Sequence, residues 1–110
     1  MIHERFETLI KTLVARTQSG AQAWEPGPTT DSYFTQIGKN SVSVRRKAND
    51  IYISLHNPDG EIVESASDEE LSTYGMENSF PKAMGLFETA KRNALGADKI
   101  FNEILSELKE

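Results

Sequence analysis

The sequence predicts one α+β domain over residues 1–110: an N-terminal helix, a four-stranded antiparallel meander, and C-terminal helical segments packed on one sheet face. Three observations carry this. Apolar residues recur at helical spacing before residue 20 and after residue 82. Between residues 32 and 66 the apolar period falls to two. The four β-like runs there begin nine or ten residues apart, too close for intervening helices, so neighbouring strands pair antiparallel.

In the first element Phe6, Leu9, Ile10, Leu13 and Val14 form one stripe of a 3.6-residue helix. Glu4 and Glu7 lie early and Lys11 and Arg16 later, the order that complements the helix macrodipole, and Gly20 offers a left-handed stop. Residues 20–32 read as a linker, rich in Gly, Pro, Thr and Ser and without periodicity. Trp24 stands alone in it. Its plain reading is an apolar plug pinning the crossover to the core; the functional alternative is a stacking platform beside a small-ligand site.

The runs 32–37, 41–47, 51–56 and 61–66 are strands rich in β-branched and aromatic residues. Gly38-Lys39-Asn40, Ala48-Asn49-Asp50 and Asn57-Pro58-Asp59-Gly60 supply the turns between them. Alternation sends Val42, Val44, Ile51, Ile53 and Leu55 inward, and Ser41, Ser43, Arg45, Tyr52, Ser54 and His56 to a wet face. The first strand is ambiguous, because Tyr33, Phe34 and Ile37 cannot share one side. Ser67 and Glu70 form a capping box that starts a short helix ended near Tyr74-Gly75, and 75–81 reads as loop. From residue 82 to 108 the helical period is continuous, but one helix of that length would run about 40 Å against strands of about 20 Å. A break is therefore expected at Leu95-Gly96-Ala97, with Asp98 capping the last helix.

Composition limits function. No cysteine is present, which excludes disulfides, thiolate metal sites and cysteine nucleophiles. A net charge of −5 argues against a dedicated DNA-binding protein. No apolar run reaches the ~20 residues of a membrane span, and charged residues interrupt the N-terminus where a signal peptide would be apolar; a cytoplasmic protein is expected.

The run from Trp24 to Leu108 resembles a group of small uncharacterised bacterial proteins of helix–β-meander–helix layout. The features that carry the resemblance are Trp24 after a helix, the Tyr33-Phe34 strand, the Asn57-Pro58-Asp59-Gly60-Glu61 turn, and the 86–98 segment before an apolar terminal helix. The resemblance implies a compact helix–sheet–helix domain and assigns no residue a role.

Chemistry is sparse. His3 and His56 are the only imidazoles, too few and too scattered for a metal site. Ser54 and His56 share a strand face two residues apart, yet no orienting carboxylate or nucleophile elbow accompanies them. Gly38-Lys39-Asn40-Ser41 is a hairpin turn and not a phosphate loop. No catalytic constellation and no cofactor are expected.

Charge is the clearest surface signal. Residues 57–81 carry seven acids and no base, while Lys39, Arg45, Arg46 and Lys47 gather around the first two hairpin turns. The leading expectation is a non-enzymatic protein–protein interaction module whose partner is another protein or its own copy, a homodimer being joined by sheet face, edge strand or terminal helix. Tyr33, Tyr52, Arg45, Arg46 and Lys47 are its candidate surface residues. The alternatives are weak nucleic-acid binding through Lys39, Arg45, Arg46 and Lys47, and a small-ligand site near Trp24.

Overall fold

The computed structural model describes residues 2–109, with side chains from His3 to Lys109. The chain order is α1 (Ile2–Gln18), β1 (Glu25–Pro26), β2 (Ser32–Ile37), β3 (Asn40–Lys47), β4 (Asp50–His56), β5 (Ile62–Ser67), α2 (Asp68–Thr73), α3 (Ser79–Ala94) and α4 (Ala97–Leu108). The strands form one antiparallel meander in the order β1-β2-β3-β4-β5. The sheet thus has five strands, one more than expected. The extra strand lies inside the expected linker, where Glu25 pairs with Phe34 and Pro26 with Tyr33. Pro26 lacks an N–H to donate, a loss that an edge strand tolerates.

Register decides the faces. Tyr33, Val44, Ile53 and Ala66 stand side by side toward the helices, with Thr35, Val42, Leu55 and Glu64 in the adjacent row. Against them lie Phe6, Ile10 and Leu13 of α1 and Ala83, Leu86, Phe87 and Ala90 of α3, joined in one apolar cluster. Tyr33 packs on Phe87 with ring centroids 5.7 Å apart. One sheet face is therefore covered and the other is open.

Polar fastenings hold the crossover. Trp24 is buried; its Nε1–H donates to Thr17 Oγ1 at 2.9 Å and its backbone N–H to Asn93 Oδ1 at 2.7 Å. The Thr35 hydroxyl donates to the Ala23 carbonyl at 2.7 Å and accepts from the Gln22 carboxamide. Between the helices, Lys82 Nζ donates to Glu7 Oε2 at 2.6 Å.

The capping box at Ser67 and Glu70 forms as expected, and the buried Asp68 carboxylate accepts the Ile51 N–H at 2.7 Å, tying α2 to β4. The loop before α3 is shorter than the expected 75–81, because α3 begins at Ser79. The break falls where the length argument places it, since Gly96 adopts a left-handed φ of 66°. Its cap is Gly96 and not Asp98, whose side chain pairs instead with Arg92. Of the C-terminal segments, α2 and α3 pack on the sheet, whereas α4 leans on α3 and buries none of its residues.

Candidate interaction surfaces

Among the described residues, five of the eleven large apolar side chains that stay exposed belong to α4. Ile100, Phe101, Ile104, Leu105 and Leu108 fall on one side of the helix and are 45–75% exposed. Asp98, Lys99, Asn102, Glu103, Ser106 and Glu107 occupy the rest of its circumference. The positive φ at Gly96 turns the chain out of the α3 axis, so this stripe leaves the core that the α3 stripe enters. Singly exposed apolar side chains are ordinary; five in one stripe on a helix with no buried residue make a contiguous apolar face.

The open sheet face is of different character. Its register sets Ser32, Arg45, Tyr52 and Ser67 in one row, Phe34, Ser43, Ser54 and Ser65 in the next, and Gln36, Ser41, His56 and Ile62 in a third. The small serines leave an open groove of about 360 Å³, bounded by the Gly27-Pro28-Thr29 segment, Phe34, Arg45, His56 and Ile62. Within it Ser43 Oγ lies 2.8 Å from His56 Nε2, and Ser54 Oγ lies 2.9 Å from Ser65 Oγ. The serine beside His56 is therefore Ser43 across the strand pair, in place of the expected Ser54 along the strand. His56 Nδ1 faces the Gly60 carbonyl at 3.4 Å, so the ring braces the β4–β5 turn. No carboxylate touches His56 in these contacts, and a serine–imidazole pair held by a backbone carbonyl lacks the orienting acid of a catalytic triad.

Of the sequence-derived surface residues, Tyr52 and Arg45 meet on the open face, the Arg45 guanidinium 5.4 Å from the Tyr52 ring centroid. Tyr33 does not join them. Its pairing with Val44 turns it into the core, and Phe34 takes the open side of β2. The basic rim also divides. Lys39 sits in the β2–β3 turn, while Arg46 and Lys47 stand at the far end of β3, about 25 Å away at 3.3 Å per residue. Arg45 and Arg46, being consecutive in a strand, project from opposite faces. Trp24 closes the crossover with its indole N–H satisfied internally, the geometry of a plug.

Among the described residues no group of three or more His, Cys, Asp or Glu side chains is placed to hold a metal ion, and no helix is long and apolar enough to cross a membrane. Comparison with protein-family models, curated proteins and solved structures finds no match. The helix–meander–helix layout of the bacterial group is present in the chain as a layout.

The α4 surface was missed as a surface at the level of residues. Its apolar positions continue the α3 phase, so they read as more core; the signal that separates them is Gly96, which breaks the phase relation between the two helices.

Proposed function

We propose that the protein is a non-enzymatic interaction module that docks another protein through the apolar face of α4. One observation carries the reading: a regular twelve-residue helix, bounded by a left-handed glycine, presents five large apolar side chains and buries none. An isolated helix of about 12 residues is marginal in water. Such an element gains its stability from a packed apolar face, and among the described residues α4 rests only on α3 and buries none of its own. Helix-in-groove or helix-on-helix docking is the recognition mode that fits.

The reading takes the chain to be a soluble cytoplasmic protein and a relative of the small bacterial helix–meander–helix group, supported by its layout, charge balance and lack of cysteine. Nucleic-acid binding has weaker support, because Lys39 stands apart from Arg45, Arg46 and Lys47 and the net charge is −5. A ligand site at Trp24 has weaker support still, because the indole is enclosed.

The test is photo-cross-linking in extract of the native cell, with Phe101→p-benzoylphenylalanine in the full chain. A discrete protein adduct is expected, and it disappears when Leu105 and Leu108 are also changed to Ser. Absence of any protein adduct overturns the reading.

A further inference from the structure

We infer that the partner on α4 is a second copy of this chain, its α4 paired antiparallel about a two-fold axis near Glu103 and Ile104. The inference rests on the docking reading above and names its occupant.

Area is the first argument. A side chain of this size carries roughly 200 Å² of surface, so five at the observed exposures present on the order of 550 Å² per copy. Covering both copies buries roughly 1,100 Å², which clears the ~1,000 Å² expected of a specific interface. A stripe is self-complementary under a two-fold axis, the commonest symmetry of soluble oligomers.

Charge is the second. Asp98 and Lys109 are eleven residues apart, three helical turns, so they lie on the same flank of the apolar stripe. Antiparallel pairing about the stated axis sets Asp98 of each copy beside Lys109 of the other, giving two ion pairs at the rim. Asp98 is anchored by Arg92 of its own chain while its side chain stays 89% exposed, so the carboxylate is held at the position the partner's lysine approaches.

Shape is the third. The molecule measures 54 × 32 × 26 Å, and α4 leaves the α/β body at the Gly96 break. Antiparallel pairing puts the two bodies at opposite ends of the helix pair and opposes the helix dipoles. Parallel pairing would crowd both bodies at one end.

Sedimentation equilibrium of the full chain tests the pairing. The expected mass is twice 12.3 kDa in the micromolar range. Phe101→Glu with Leu105→Glu is expected to return it to 12.3 kDa without moving the thermal midpoint of the body, since α4 buries no residue. Lys109→Glu is expected to weaken association about fivefold, from the loss of two exposed ion pairs. Because the chain has no cysteine, single-cysteine copies report direction cleanly. Mixed Asp98→Cys and Lys109→Cys chains are expected to form 98–109 disulfides on mild oxidation.

Dominant 98–98 and 109–109 disulfides overturn the antiparallel pairing, as does a dimer that survives the double Glu variant. A mass of 12.3 kDa throughout, alongside photo-adducts to another protein, overturns the second copy and leaves the docking reading standing. Absence of any adduct removes the docking reading itself.

Discussion

Two hairpin residues show how backbone geometry sets local stability. Gly38 and Ala48 each occupy the first position of a two-residue loop, at φ of 63° and 56°. Glycine takes that region without strain, while an L-residue there costs about 1–2 kcal/mol. Ala48→Gly is therefore expected to stabilise by up to about 1 kcal/mol, after the larger chain entropy of glycine is deducted, and thermal denaturation would show a higher midpoint. The converse holds at Gly60, where φ is 85° and a side chain would meet open space, so space is not the obstacle. Gly60→Val is expected to destabilise through the backbone alone, and a midpoint equal to the parent's would contradict the assigned turn. Ile53 sits at the centre of the covered face with no exposed surface. Ile53→Ala should cost about 2–5 kcal/mol in a chemical denaturation curve, the range for buried aliphatic truncations.

At the scale of elements, packing is governed by contacts between segments far apart in sequence. Asn93 of α3 accepts the Trp24 backbone N–H, 69 positions away, and so fixes the crossover beneath β1. Asn93→Ala leaves that donor without its partner and is expected to cost about 1–3 kcal/mol, whereas Asn93→Asp keeps an acceptor oxygen and should lose less. Glu7 links α1 to α3. The hydrogen bond from Lys82, and then that from Lys11, hold its carboxyl below the usual glutamate range. A depressed folded-state pKa stabilises above the unfolded value and is lost as pH falls through the folded value. Stability measured from pH 6 downward should thus decline with a Glu7 component that Glu7→Gln removes, and identical acid profiles for the two chains would exclude that coupling. These long-range partners mark the limit of what the sequence discloses. The helix stripe from Phe6 to Val14, the strand alternation and the capping box are local patterns legible from neighbouring residues, and the Gly96 break follows from helix length set against strand length. A two-residue strand has no period to detect, so β1 is hidden. The Tyr33-Phe34 choice and the Ser43–His56 pair depend on lateral register, which alternation within one strand leaves open.

For the whole molecule, the radius of gyration is 15.0 Å, where a compact chain of this length is expected near about 13 Å. The chain is elongated, with a long axis of 54 Å, and α4 adds no buried residue to its core. Two stability regimes follow within one chain. The body owes its order to a core shared by α1, α3 and the sheet, while α4 adds no buried residue to that core. Amide hydrogen exchange resolves the two. In dilute solution, residues 97–108 are expected to exchange nearly as fast as an unstructured peptide, because a twelve-residue helix without packing opens readily. Raising the protein concentration should slow exchange in that segment, since every opening of α4 must then break the pairing that covers it. Protection of α4 that equals the core at every concentration would place its stabilising contacts within a single chain, and the elongated shape would then need a different physical cause.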